Sequence, residues 1–261
     1  MVLISLLTDF GLADTYVGQL KGAILSIAPS ATIVDLSHAV APQDVAAGAF
    51  ALWSAVGALP DGSIHVAVVD PGVGSARRGV ALRSARGDVF VGPDNGLLMP
   101  AAERLGGIRH CVELTQAGYW RPNPSSSFHG RDIFGPVAAH LSLGVPLDAL
   151  GPAIGDPCPY SIPAPNGDQG EVIHVDTYGN LVTNFASVAL PERFHVRIAG
   201  RAVAYAPYYA AVAPGELLAL VGSAGLLEIS ARDASAAQLL NVARGTRVIL
   251  EPSWNSTPPR G

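Results

Sequence analysis

The chain is short of charge, of cysteine and of long hydrophobic runs, and each shortage removes a class of function. Only 14% of its 261 residues are charged and the formal net charge is -5. No basic surface of the kind that holds nucleic-acid phosphates is therefore expected. Hydrophobic residues make up 49% of the chain, which also excludes a disordered polypeptide. The two cysteines, Cys111 and Cys158, lie far apart and match no metal or redox spacing, so a reducing, cytoplasmic setting with two inert thiols is expected. No His-x-His or His-x-x-x-His pair occurs, and no metal is predicted. No apolar stretch approaches the ~20 residues that cross a bilayer. The opening MVLISLLTDFG has too short an apolar run, and no basic flank, for a secretory leader. A Gly-x-Gly-x-x-Gly fingerprint after the first strand and a Gly-x-Ser-x-Gly elbow are both missing, which argues against ordinary dinucleotide binding and a serine nucleophile.

What is present alternates. Val2 to Leu7, Ala31 to Leu36, Ile64 to Val69 and Ile108 to Leu114 read as strands, and Gly79 to Ala85 with Asp88 to Val91 as a strand pair around Arg86-Gly87. Tyr16 to Ile27, Gln43 to Leu59, a segment ending near Leu105 and Asp132 to Leu143 read as helices. This predicts an α/β, Rossmann-like domain over 1–156 with a mostly parallel sheet. A proline-rich linker over 157–170 can hold neither helix nor central strand. Beyond it, six short strands among Gly and Pro turns predict a small all-β barrel over 171–261, ending in a loose tail.

The candidate chemistry gathers at strand ends. Asp70 closes the buried run Ile64 to Val69 and is followed by Pro-Gly-Val-Gly. Open α/β sheets bind ligands at that end, although Asp-Pro-Gly is also plain turn chemistry. Arg77 follows seven residues later, near enough to return its guanidinium to Asp70. Asp9 repeats the pattern beside Gly11, where a carboxylate can accept from vicinal hydroxyls, and Asp14 is the better placed of the two to cap the next helix. His129, between Phe128 and Gly130, lies in a serine-rich loop ahead of a helix and is able to titrate. In the second domain Asp176-Thr-Tyr178-Gly-Asn180 is either a hairpin turn or a base-binding edge, asparagine matching an adenine edge and tyrosine stacking on it. Tyr208 and Tyr209 stay open between ligand platform and barrel packing.

Taken together, Thr8-Asp9-Phe10-Gly11, Asp70-Pro-Gly-Val-Gly with Arg77, Pro93-Asp-Asn-Gly96, Phe128-His129-Gly130-Arg131, Asp176 to Asn180 and Pro214-Gly-Glu216 closely resemble the S-adenosyl-L-methionine hydroxide adenosyltransferases, hydrolytic relatives of fluorinase and chlorinase. The resemblance implies two domains, a homotrimer with sites at subunit interfaces, and attack of water on C5′ of S-adenosylmethionine to give adenosine and methionine. It implies no cofactor, no nucleic acid and no membrane partner. Carried over by motif, Asp70, Arg77 and His129 handle the water and Asp9 the ribose hydroxyls. Asn180 meets the adenine edge, and Tyr178 and Tyr209 wall the nucleoside. Asp14 and Asp176 hold the methionine ammonium, and Phe128, Gly130 and Ser223 complete the substrate contacts. Asp70 stands where the fluorinase has a neutral tyrosine and Gly130 where it has a serine, so hydrolysis is expected over halogenation. The rival readings are a non-catalytic adenosine or S-adenosylmethionine binder, a 5′-halogenase and a metal-dependent hydrolase.

Overall fold

A computed structural model describes residues 2–252; the expected C-terminal tail, 253–261, lies outside the described residues. The chain divides into two compact units, Met1–Ser161 and Ile162–Gly261.

Unit 1 runs β1 (Leu3–Thr8), α1 (Tyr16–Ile27), β2 (Thr32–Ser37), α2 (Val45–Val56), β3 (Ile64–Val68), β4 (Gly79–Ser84), β5 (Val89–Pro93), α3 (Met99–Arg104), β6 (Ile108–Glu113) and α4 (Gly135–Ser142). Its six strands lie in the order β2-β1-β3-β5-β4-β6. The β1–β2, β1–β3 and β3–β5 pairs are parallel, whereas β4 runs antiparallel to both β5 and β6. The sheet is thus mixed, with β4 alone running against the others, because the Ala85–Asp88 turn is too short to carry the crossover that a parallel β4–β5 pair needs. β3 is buried on both faces. Val66 and Val68 pack towards Leu20, Ile24 and Phe134, while Ala67 and Val69 pack towards Leu52, Phe90 and Leu97.

Helix starts depart from the sequence expectation for local reasons. Thr15, not Asp14, is the N-cap of α1, no side-chain cap bond forms there, and Asp14 is exposed. α2 begins two residues later than Gln43, since Gln43 has φ +64, and Asp44 caps it by accepting from the Ala47 amide at 3.0 Å. The expected helix from Asp132 starts instead with a π turn, Gly130–Phe134. Pro136 has no N–H to give the Asp132 carbonyl, which accepts from the Arg121 amide at 2.8 Å. The Gly135 amide reaches Gly130 O, five residues back.

His65, the one polar residue in β3, belongs to a sealed chain. Ser5 Oγ meets its Nδ1 at 2.7 Å and its Nε2 lies 3.2 Å from Asp88 Oδ1. Arg86 donates to both Asp88 oxygens, from Nε at 2.7 Å and Nη2 at 2.8 Å. Ser5, His65 and Asp88 are all 0% exposed. A Ser-His-Asp chain without solvent access cannot turn over a substrate; it ties β1, β3 and the turn before β5 together.

Unit 2 runs β7 (Gln169–Val175), β8 (Leu181–Ala186), β9 (Phe194–Ile198), β10 (Arg201–Ala204), β11 (Leu217–Val221), β12 (Leu226–Ala231), α5 (Ala236–Leu240) and β13 (Arg247–Pro252). Its barrel-like antiparallel sheet has the order β10-β9-β13-β7-β8-β12-β11. β10 and the five-residue α5 escape the sequence pattern because each is too short to show a period. Among the described residues no helix is long and apolar enough to cross a membrane.

Burial pushes the Asp88 carboxyl up, but its bonds from Arg86 and His65 outweigh this and hold it well below the usual range. Its stabilising contribution is therefore complete above the ordinary carboxylate pKa of 3.8 and is lost as pH falls below it. Asp88→Ala, which strands the buried His65 and strips Arg86 of its main partner, should cost about 3–5 kcal/mol in denaturant unfolding at neutral pH. A loss under about 1 kcal/mol would show the chain to be energetically idle.

Candidate active site

The site in unit 1 forms where β1 and β3 end side by side. Asn95, from the Pro93–Gly96 turn, donates Nδ2–H to the Val69 carbonyl at 2.9 Å, fixing the backbone just before Asp70. The loop then folds back. Gly74 has φ +76, and a Cβ there would lie 2.3 Å from the Ser126 carbonyl, so a residue without a side chain lets the 70–78 loop touch the 125–129 loop.

That approach brings Asp70, Arg77 and His129 together. Arg77 Nε donates to both Asp70 oxygens at 3.0 Å, and Nη2 reaches Oδ2 at 2.5 Å. The same Nη2 lies 2.7 Å from His129 Nδ1. Side-chain exposure is 12% for Arg77 and 5% for Asp70, so the pair is largely removed from water. Arg77 also sits over the Phe134 ring, 5.3 Å from its centroid. An arginine nitrogen has only protons to offer, so His129 Nδ1 accepts and the ring proton resides on Nε2. Burial, and then the Arg77 charge, hold the imidazole below its ordinary 6.5. The histidine is a neutral N–H donor here, and the arginine, not the histidine, occupies the middle of the trio.

Arg78, adjacent in sequence, is committed elsewhere. Its Nε donates to Asp94 Oδ2 at 2.8 Å and its Nη1 to Asp156 Oδ1 at 2.9 Å.

A chamber of about 160 Å³ opens on Asp70 and His129, with Asp9, Phe10, Val73 and Phe128 in its wall. Drug-sized ligands occupy roughly 300–1,000 Å³, so it encloses part of such a ligand. Asp9 Oδ2 accepts from the Gln43 amide at 2.8 Å. Phe10, Tyr16 and Phe128 meet edge to face, and the Arg131 guanidinium stacks on Phe128 at 4.8 Å. A Cβ on Gly130 would come within 3.1 Å of the Phe10 ring. Asp14 lies at the surface, outside the chamber wall. Phe10, Val73 and Ser127 line it without having been singled out from sequence; of these only Phe10, adjoining Asp9, carried a signal. Asp132 was also missed. It accepts from Arg131 Nε at 2.7 Å and from the Ser125 amide at 2.9 Å, anchoring the loop ahead of His129.

Unit 2 holds a second cluster. Asp176 Oδ1 accepts from the Tyr178 and Asn180 amides at 2.9 and 2.8 Å, and Oδ2 from Asn180 Nδ2 at 2.9 Å. The turn reading of this motif therefore holds as geometry. Asn180 is buried, with one amide proton committed to Asp176, while Tyr178 is 79% exposed. Tyr209 donates its hydroxyl to Glu228 at 2.8 Å. Burial, then Glu228, push that phenol up to about 12. Ser223 is exposed. Among the described residues no group of three or more His, Cys, Asp or Glu could hold a metal ion.

The model of the SAM hydroxide adenosyltransferase N-terminal domain matches residues 4–151, and that of the C-terminal domain matches 170–249. The chain belongs to the SAM hydroxide adenosyltransferase family. It is 43% identical over 254 residues to an (R)-S-adenosyl-L-methionine hydrolase of Salinispora arenicola, covering 94% of this chain and 96% of that one. A fluorinase of Actinoplanes sp. is more distant, at 31% over 212 residues, 70% of this chain and 71% of that one. The crystal structure of an uncharacterized conserved protein from Thermotoga maritima superposes with a TM-score of 0.89 at 36% identity, over 95% of this chain and all of that one.

Because the histidine's pKa is lowered, the unfolded chain protonates first; its contribution to stability is complete above 6.5 and fades as pH falls through the lowered value. Protonated Nδ1 can no longer accept from Arg77. Turnover should thus be flat above pH 6.5 and fall on the acid side, and His129→Ala should remove that limb of the profile. An acid limb unchanged in this variant would assign it to another group.

Proposed function

We propose that this chain hydrolyses S-adenosyl-L-methionine to adenosine and L-methionine by in-line attack of water on C5′. The observation that carries the reading is the Asp70–Arg77–His129 contact at a chamber flanked by Asp9 (2.5–3.0 Å within the trio). Methionine leaves as a neutral thioether from a sulfonium, so the leaving group needs no acid. The barrier lies in holding a weak nucleophile behind C5′ and stripping its shell, and good positioning is worth up to ~7–11 kcal/mol. Asp70, clamped by Arg77, accepts a hydrogen bond from the water and takes its proton as the C5′–O bond forms and the C5′–S bond breaks. His129 offers Nε2–H to the same oxygen or to the ribose, and Asp9 accepts from the ribose hydroxyls. General-base help of this kind adds ~10²–10⁴-fold.

On unit 2, Asn180 has an amide oxygen for the adenine amino group, since one proton of its own NH₂ is taken by Asp176. Tyr178 and Tyr209 wall the nucleoside, and Ser223 and Asp176 face the amino-acid end together with Asp14. In this reading the two clusters come from different copies of a cytoplasmic homotrimer, as the family resemblance implies, and no metal or cofactor takes part. The carboxylate at position 70 is the specific reason to prefer water over halide as nucleophile.

Purified protein given the separate sulfonium epimers should release adenosine from the (R) form, the substrate named for the Salinispora relative, in chloride or fluoride buffer alike. A dominant 5′-halo-adenosine would overturn the reading. Asp70→Asn should lower kcat by ~10²-fold or more while equilibrium dialysis still detects adenosine binding; undiminished turnover would show the trio misassigned. Co-expressed Asp70→Asn and Asn180→Ala chains, each poorly active alone, should regain activity in mixed trimers. No recovery in mixed trimers verified by mass spectrometry would place both clusters of a site on one copy.

A further inference from the structure

Glu228 sits in the middle of β12, between Leu227 and Ile229. Those neighbours belong to the main core of unit 2, with Ala231. The alternation of a strand turns Glu228 and Ser230 to the opposite face, which is covered by a smaller cluster of Ala206, Leu218, Leu220 and Val212. Glu228 is 8% exposed. Burying a carboxylate is costly unless its oxygens are satisfied, and here one oxygen takes two hydroxyl donors, Tyr209 at 2.8 Å and Ser230 at 2.7 Å. The other oxygen lies against the neighbouring turn: a Cβ on Gly222 would stand 2.7 Å from Oε2. That turn, closed by Gly222 N–H to Leu226 O at 2.9 Å and Gly225 N–H to Gly222 O at 3.0 Å, carries Ser223.

We propose that Glu228 is a positioning residue for substrate binding, holding the Tyr209 ring with one carboxylate oxygen and setting the height of the Ser223 turn with the other. The proposal rests on the reading of the chain as a hydrolase of S-adenosylmethionine with Tyr209 and Ser223 at the substrate. Glu228 acts through these two residues and does not touch the reacting atoms. Tyr209, whose hydroxyl stays protonated and so remains a donor, is 42% exposed; its ring can face a ligand while its hydroxyl is tied inward. The 205–212 segment has other ties, Ala206 N–H to Ala219 O and Arg232 Nη1 to Val212 O, both 2.8 Å. Loss of Glu228 therefore frees a side chain rather than the whole segment. A wall that contacts the nucleoside equally before and during reaction affects KM and leaves kcat alone.

The test is steady-state kinetics of the full-length protein with S-adenosyl-L-methionine. Glu228→Ala should raise KM about tenfold, the scale of one lost charge-assisted hydrogen bond, with kcat within about threefold of the parent. Glu228→Gln keeps an oxygen for both hydroxyls and should restore KM to within about threefold. Gly222→Ala, which leaves Glu228 in place but pushes on its carboxylate, should raise KM in the same direction. In a Tyr209→Phe background, Glu228→Ala should raise KM by less than in the parent. Should Glu228→Ala fail to fold, Glu228→Gln and Gly222→Ala carry the test. An unchanged KM in folded Glu228→Ala, or in Gly222→Ala if that is the remaining variant, overturns the proposal. So does a Glu228→Gln protein as impaired as the alanine form, which would make the charge itself the contact. If the parent protein releases no adenosine at all, it is the functional reading that fails, and tyrosine–Glu228 coupling measured by adenosine dialysis still decides the positioning role.

Discussion

One guanidinium organises unit 1. Arg77 spends Nε and Nη2 on Asp70 and shares Nη2 with His129, so a single side chain joins two loops 52 residues apart in sequence. A buried pair of this kind is not itself a strong source of stability, since desolvation offsets the attraction, but breaking it leaves an uncompensated charge at a cost of about 3–5 kcal/mol. The consequence is directional: Asp70 can neither swing out to solvent nor pair with Arg78, and the proton of His129 is driven to Nε2. The fold serves this contact through Asn95, which fixes Val69, through Gly74, which lets the loops touch, and through the π turn that Pro136 imposes beneath His129.

The parts of the site that were legible in the sequence are those whose signal is local. A β-branched run ending in Asp-Pro-Gly announces a buried strand and a loop at its carboxyl end, and β3 with Asp70 is what that grammar specifies. What keeps the adjacent Arg78 out of the trio is not local: it is drawn off by Asp94 and Asp156, 16 and 78 residues away, and such partners leave no mark in a local window. The same holds for Glu228, hidden inside an apolar strand pattern, and for Asp132, which looks like an ordinary helix-start acid but anchors the loop before His129. The parallel strands were legible from the alternation of strand and helix, and the β4–β5 hairpin from the short Arg86-Gly87 turn, which has too few residues for a crossover. Asp14 was misread as a cap because capping depends on backbone angles, and a one-residue shift to Thr15 leaves the acid at the surface.

The two units divide the proposed work by polarity. Unit 1 offers a nearly dry ion pair and a neutral imidazole around a small chamber, a setting that orients a water and a ribose. Unit 2 offers the reverse, an exposed tyrosine, a buried amide and carboxylates tied into turns, a surface suited to recognising a flat base and a polar tail. Asp176 illustrates how turn and binding functions coexist. Its oxygens already accept three bonds from its own hairpin, yet a carboxylate has room for about four, so the turn is what aims the remaining lone pair.

Whether position 70 selects water over halide turns on more than charge. Arg77 neutralises much of the Asp70 field, so simple repulsion of an anion, about 4 kcal/mol at 4 Å in an effective dielectric of ~20 for an unpaired carboxylate, is an upper figure here. The decisive difference is the proton. Water presents a hydrogen to Asp70 and keeps a lone pair for carbon; a halide has none, and would set its charge against the carboxylate oxygens with no hydrogen bond in return. Val73 is apolar, and a serine at position 130 would need the Phe10 ring to move, since even a bare Cβ there lies 3.1 Å from it. That ring is packed on Phe128 and Tyr16, so a hydroxyl added at position 130 has to be accommodated by a small shift of the chamber wall.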